Sequence, residues 1–161
     1  MPGICPGCGG RFSDIEGSVH GYMASSPGCW KSYGELLARE YSDPDLFARA
    51  HRLTVDAYAL QHPGDLTDRR CNQSVWLHYV SLHLIFRVNW SHERATGAIK
   101  QLAAGEFEQI SVKVPRFSIT LADVLKESER RHESVVRAWA RHSYDVWDVL
   151  EPEAERLVRS L

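Results

Sequence analysis

Apolar residues recur along much of this chain at steps of three and four, which is the spacing of an amphipathic α-helix. Residues 26–41 carry this pattern, and Ser26-Pro27 supplies a capping serine followed by a proline in the first turn. Ser42-Asp43-Pro44 ends this helix and starts a second one over residues 44–61, which His62-Pro63-Gly64 terminates. The pattern therefore predicts two consecutive helices joined by a tight turn.

The rest of the chain also favours helices, with one exception. Helices are expected over residues 73–88 and 93–104, and Thr120-x-x-Asp123 resembles a capping box that opens a long C-terminal helical region. Residues 107–117 alternate between apolar and polar positions like a strand, but no partner strand is evident. We therefore expect an extended segment that packs over the helices.

Residues 1–25 are rich in glycine, serine and proline and show little periodicity, which predicts an irregular segment. The chain has 161 residues, of which 43% are hydrophobic and 25% charged, as in an ordinary globular domain. We therefore expect a mainly α protein with a single domain over residues 1–161. In it, the irregular segment 1–25 precedes a helical bundle formed by residues 26–161.

Charge and hydropathy narrow the range of partners. The formal net charge is −2 and the isoelectric point is about 6.4, so the chain lacks the basic excess of a nucleic-acid-binding protein. Its start has no basic region followed by an apolar run, and no stretch approaches the roughly 18 apolar residues of a membrane span. These features predict a cytoplasmic protein without nucleic-acid or membrane partners, and they leave its oligomeric state open.

Three cysteines and a histidine near the start form the clearest chemical signal. Cys5 and Cys8 flank a Pro-Gly turn, and His20 and Cys29 follow within 25 residues. A structural zinc ion needs four such ligands, and the Cys-x-x-Cys spacing brings two thiolates together. The sequence therefore predicts that Zn²⁺ is bound by Cys5, Cys8, His20 and Cys29 and staples the N-terminal segment to the first helix.

Cys29 also has a second interpretation. It lies in the first turn of the predicted helix that Ser26 caps, where the helix dipole lowers the pKa of a thiol. With His20 as its base, such a thiolate would be a nucleophile. The pair Cys5 and Cys8 would serve as a redox couple. A thiol enzyme or a redox sensor is therefore an open alternative.

Polar residues on the predicted helices raise another alternative. Helical bundles build metal and catalytic sites from side chains on facing helices. The candidates for such a site are Asp56, His62, Gln73, His78 and His132. A metal-dependent enzyme, such as a hydrolase with a polar pocket between helices, would use them. The function that we expect first is different from both alternatives. It is a binding or regulatory module in which the zinc is structural and whose partner is a protein or a small-molecule ligand.

Several strings in the chain resemble an uncharacterised bacterial family, a domain of unknown function. They are CPGCG at residues 5–9, SSPGCW at 25–30, VDAYALQHPG at 55–64 and QSV at 73–75. The resemblance covers nearly the whole chain and implies no activity. It does imply that the polar residues in these strings, notably Asp56, Gln61, His62 and Gln73, are candidates for function.

Overall fold

The computed structural model describes residues 2–161, in which helix accounts for 60% and strand for 5% of the chain. This confirms the mainly α fold. The seven α-helices of the described residues are α1 Pro27–Tyr41, α2 Pro44–Gln61, α3 Arg69–Phe86, α4 His92–Leu102, α5 Leu121–Lys126, α6 His132–Asp145 and α7 Glu151–Val158. None of these helices is both long enough and apolar enough to cross a lipid bilayer.

Capping side chains determine where the helices begin. The hydroxyl of Ser26 accepts the amide N–H of Cys29 at 3.2 Å, and the carboxylate of Asp43 accepts two amides at the start of α2. The bounds of α2 are those predicted from the sequence. By contrast, α3 begins four residues earlier than predicted, because Asp68 caps it ahead of its apolar stripe.

The N-terminal segment is more regular than expected. Strands β1 Pro2–Ile4 and β2 Arg11–Ser13 pair as an antiparallel hairpin, which corrects the prediction of a wholly irregular segment. In the connecting turn, Gly9 has a φ of 75°, a conformation that glycine adopts without strain. Strands of three residues are too short for an alternating pattern to reveal them, so no pattern in residues 1–25 predicts this hairpin.

Residues 107–117 form neither helix nor strand, as predicted for an extended segment. Side chains of α3 hold it in place. The indole N–H of Trp76 donates to the carbonyl oxygen of Glu108 at 2.8 Å, and the amide of Ile110 donates to the side-chain oxygen of Asn72 at 2.9 Å.

The C-terminal region is helical but broken. The carboxylate of Asp123 accepts the amide of Thr120 at 2.8 Å, which confirms the predicted capping box at the start of α5. Short 3₁₀ turns at Glu129–Arg131 and Asp148–Leu150 then separate α5 from α6 and α6 from α7.

Helix α2 is the centre of the packing. It contacts α6 most extensively, and also α1 and α3. The indole of Trp147, which is fully buried, donates to the carbonyl oxygen of Leu60 near the end of α2. The buried apolar cluster includes Cys5, Cys8 and Phe12, so the N-terminal segment is part of the same core as the helices.

The contact between the hairpin and α1 depends on Gly28. A Cβ at this position would lie 2.1 Å from the carbonyl oxygen of Ser13 and 3.1 Å from the Cβ of Phe12. We expect Gly28→Ala to lower the free energy of unfolding by about 1–3 kcal/mol, because the hairpin must move away from the helix. Urea denaturation measures this change.

Gly34→Ala is the matched control in the same helix. Nothing lies within 4 Å of the added Cβ there, so this variant should gain up to about 1 kcal/mol from its better helix propensity. Similar stabilities for the two variants would contradict the close approach at Gly28.

Candidate metal centre

Three thiols and one imidazole converge beneath the N-terminal hairpin. The ligand atoms of Cys5, Cys8, Cys29 and His62 all lie within 4.8 Å of one another, and all four residues are buried. The sulfur of Cys29 lies 3.3 Å from Nε2 of His62. Ligands of a tetrahedral zinc ion are about 3.3–3.8 Å apart, given bond lengths of about 2.0–2.3 Å. The donor set therefore fits a single tetrahedral cation.

The hairpin turn supplies Cys5 and Cys8. The amide of Cys5 donates to the carbonyl oxygen of Gly10 at 2.9 Å, and the amide of Gly10 points at the sulfur of Cys8 at 3.4 Å. Gly7, between the cysteines, is in close contact with the end of α2. A Cβ there would lie 2.6 Å from the ring carbon Cδ2 of His62. The turn therefore needs glycine to let the imidazole reach the thiols.

Cys29 approaches from the first turn of α1. Ser26 caps this helix through the amide of Cys29, which leaves the thiol directed toward the hairpin turn. The partial positive charge of a helix N-terminus favours a thiolate at this position, but the contacts with Cys5 and Cys8 outweigh it and raise the pKa of Cys29, which corrects the expectation of a lowered pKa. The hydroxyl of Tyr58 lies 3.5 Å from the sulfur and adds a polar contact.

His62 follows the last residue of α2. Its Nδ1 lies 2.7 Å from the carbonyl oxygen of Tyr58, so Nδ1 carries the proton and Nε2 keeps its lone pair toward Cys29. Metal-bound histidines characteristically have such a partner on the second ring nitrogen. The ring also stacks on that of Tyr58, with centroids 3.8 Å apart. The orientation of His62 is therefore set independently of any cation.

The protonation of the thiols is coupled. Hydrogen bonds with Cys29 and then with Cys8 lower the pKa of Cys5, whereas contacts with Cys5 and then with Cys8 raise the pKa of Cys29. Without a cation, the cluster thus accommodates one thiolate that the other thiols stabilise. A bound divalent metal would compensate the charge of all three thiolates.

The structure does not place His20 in this cluster, which corrects the predicted fourth ligand. Its Nδ1 accepts the amide of Tyr22 at 3.1 Å, and its ring lies against the rings of Tyr22 and Trp30. The position expected for His20 belongs to His62, 33 residues after Cys29. The sequence signal for His62 was its place where a helix ends at a proline, but proximity along the chain favoured His20.

Asp56 and His78, two of the proposed catalytic residues, are in contact. The carboxylate of Asp56 is fully buried and accepts hydrogen bonds from Arg52, from Ser81 at 2.5 Å and from Nδ1 of His78 at 2.7 Å. Burial alone would raise the pKa of Asp56, but the charge of Arg52 and the hydrogen bond with His78 outweigh it and hold that pKa below its usual value.

His132 belongs to a second buried network, built around Glu40. No sequence pattern indicates Glu40 as a candidate, because it lies in the last turn of α1 next to the exposed Tyr41. Its carboxylate is fully buried and lies 2.8 Å from Nε2 of His132, 3.0 Å from Nδ1 of His51 and 2.5 Å from the hydroxyl of Thr54.

The two glutamines among the candidate residues form hydrogen bonds with backbone carbonyl groups. The side-chain amide of Gln73 donates to the carbonyl oxygen of Ala103 at 2.6 Å, and that of Gln61 donates to the carbonyl oxygen of Ile119 at 2.7 Å. The five catalytic candidates therefore do not form one pocket. His62 lies in the thiol cluster, Asp56 and His78 share one network, His132 belongs to another, and Gln73 contacts the end of α4.

Asp56 should make the protein sensitive to acid. Because its pKa is depressed in the folded state, its contribution is complete above the unfolded value of about 3.9 and disappears as the pH falls through the folded pKa. Asp56→Asn should lower the free energy of unfolding at neutral pH by about 3 kcal/mol, because Arg52 loses its buried partner. The difference between variant and parent should shrink at pH about 3.

Asp145→Asn is the control, since the pair between Asp145 and Arg141 is exposed and should contribute less than about 1 kcal/mol. Urea denaturation at neutral and at acidic pH measures the free energy of unfolding of the parent protein and of both variants. An Asp56 variant that matches this control would rule out a stabilising role for the buried carboxylate.

Comparison with known proteins identifies a family. The family of unknown function DUF5946 matches residues 3–148. No curated protein and no solved structure matches the chain. The matched range contains all four members of the thiol–imidazole cluster and both buried carboxylates, Glu40 and Asp56. Because the match spans most of the chain, the protein belongs to this family of unknown function.

Proposed function

We propose that Cys5, Cys8, Cys29 and His62 bind one zinc ion, and that this ion is structural. The proposal rests on one observation, the convergence of these four buried donors within 4.8 Å. Three thiolates and one imidazole form a common set of ligands for structural zinc. The ion would join the N-terminal hairpin to the start of α1 and the end of α2.

Burial supports a structural role over a catalytic one. The exposed fractions of the three cysteines are 1%, 3% and 0%, and that of His62 is 0%. Catalytic zinc keeps an open coordination position for water or substrate, whereas four protein ligands complete the tetrahedron of a structural ion. The same burial argues against a thiol enzyme or a redox sensor, because reactive cysteines need access to solvent.

We propose further that the protein is a binding or regulatory module of the cytoplasm. The separation of the catalytic candidates into different networks disfavours the metal-dependent hydrolase. The four cysteines are unpaired, as is typical of a reducing compartment. In this proposal the zinc stabilises the fold, and a surface of the helices binds a small molecule or a protein.

Elemental analysis tests the zinc site. Protein purified without chelators should contain one zinc ion per chain, and His62→Ala should weaken zinc binding at least about tenfold because it removes a ligand. His20→Ala and Cys71→Ser are the controls and should retain the parental zinc content. Loss of zinc from the His20 variant but not from the His62 variant would overturn the ligand set, and parental protein without zinc would overturn the proposal.

Removal of the metal tests the structural role. A strong chelator should raise the rate of amide hydrogen exchange in residues 2–13 by at least about tenfold, because the hairpin loses its attachment to the helices. Circular dichroism should keep most of its helical signal, since the helices bury a core of their own. Unchanged exchange in the hairpin after complete removal of zinc would contradict this role.

A further inference from the structure

A groove lies away from the metal centre, where the first half of α2 meets the start of α4 and one side of α6. Its volume is about 830 Å³, within the range of small-molecule sites. Basic and imidazole side chains line it together with a few apolar ones. The nitrogen-bearing residues of the lining are Arg49, His51, Arg52, His92 and Arg137.

His51 presents one free ring nitrogen to this groove. Nδ1 is engaged by the buried carboxylate of Glu40 at 3.0 Å, which leaves Nε2 available. The ring is held from the other side by Phe47, whose centroid lies 4.1 Å away in a stacked arrangement. The imidazole is therefore positioned before any ligand arrives.

Arg52 is positioned in the same way by the second buried carboxylate. Its Nε and Nη2 donate to Asp56, and Nη2 also contacts Nδ1 of His78. Among residues 2–161, no hydrogen bond engages Nη1. One arm of the guanidinium thus remains free to donate.

His92 at the start of α4 and Arg137 on α6 also line the groove, where the imidazole of His92 lies beside the backbone of Ala48 and the guanidinium of Arg137 lies 5.2 Å from the ring centroid of Phe86. Nδ1 of His92 is buried and has no hydrogen-bond partner within residues 2–161, an arrangement that is costly unless a ligand or water supplies one. Arg137 forms no ion pair within the same described residues. Burial, and then the charge of Arg137, lower the pKa of His92, so its imidazole is neutral at pH 7.

The carboxylates nearby leave a positive site in the middle of the groove. Glu133 pairs with Arg49 at 2.8 Å, and Glu93 is exposed at the rim. The positive groups without an ion pair are Arg137 and the N-terminal end of α4, which carries partial positive charge, and the exposed Glu93 offsets part of this charge. Apolar surface from Phe47, Ala48 and Val55 adjoins them.

We propose that this groove binds a small molecule that has one carboxylate or phosphate group and an apolar body. The anionic group meets the free donors of Arg52 and Arg137, the apolar body lies on Phe47 and Val55, and His51 and His92 add polar contacts. This inference rests on the proposed binding role and deepens it, but it does not depend on the zinc ion.

Titration of the zinc-loaded protein followed by amide chemical shifts tests the groove. The probes are phenyl phosphate, benzoate and the neutral benzyl alcohol. We expect at least one anionic probe to shift the amides of residues 47–55 and 91–96 with a millimolar dissociation constant, since probes of about ten heavy atoms bind at this strength. Comparison of the two anions distinguishes a phosphate ligand from a carboxylate one. Benzyl alcohol should bind much more weakly.

Two variants of α6 make the test specific. Arg137→Gln removes the uncompensated charge without disturbing a buried pair and should weaken the anionic probe about tenfold or more. Arg141→Gln, one turn further along and paired with Asp145 outside the groove, should leave the affinity unchanged. No response to either anion up to about 10 mM, equal binding of benzyl alcohol, or equal losses in both variants would each overturn the proposal.

The zinc content of every sample is measured alongside. Failure of the probes in fully zinc-loaded protein would refute the groove and leave the metal site standing. Probe binding by parental protein that contains no zinc when it is purified without chelators would refute the metal site and leave the groove standing.

Discussion

Three buried thiols that lie next to one another can all be ionised only when a cation compensates their negative charge. Hydrogen bonds with Cys29 and Cys8 lower the pKa of Cys5, and contacts with Cys5 and Cys8 raise the pKa of Cys29, so a thiolate at one sulfur disfavours a second one beside it. The hairpin that carries two of these thiols has strands of only three residues, too short to be stable alone. In the proposed function, compensation of this charge adds to the contacts of Phe12 and Gly28 that hold the N-terminal segment on the helices.

Helix α2 links the thiol–imidazole cluster to the buried carboxylates and to the groove. His62 follows its C-terminal end, Asp56 lies in its second half, and His51 and Arg52 lie near its middle beside the groove. Side chains of α2 and the residue that follows it thus belong to the cluster of three thiols and one imidazole, to a buried carboxylate network and to the groove. Correct placement of α2 is the common requirement of all three, and its packing against α6 and α1 supplies it.

Local signals made much of this fold predictable from the sequence. The bounds of α2 follow from Asp43-Pro44 at its start and Pro63 after its end, and the Cys-x-x-Cys spacing identified Cys5 and Cys8 as a pair. Local signals cannot decide between His20 and His62 as the fourth member of the cluster, because that depends on how α1 packs against α2. Burial of Glu40 is likewise a tertiary property, since a glutamate near a helix end is ordinarily exposed.

The two buried carboxylates are hard to explain by stability alone. Removing Glu40 and Asp56 from water carries a large desolvation cost, and well-packed apolar side chains in their place are often at least as stable. What these carboxylates do achieve is orientation: each engages one side of a basic residue, His51 or Arg52, and leaves another nitrogen of that residue free beside the groove. Pre-oriented polar groups lose less entropy when a ligand binds. The burial of these charges thus agrees with the ligand binding that we propose for the groove, while the same carboxylates also bind His132 and Ser81 in the core.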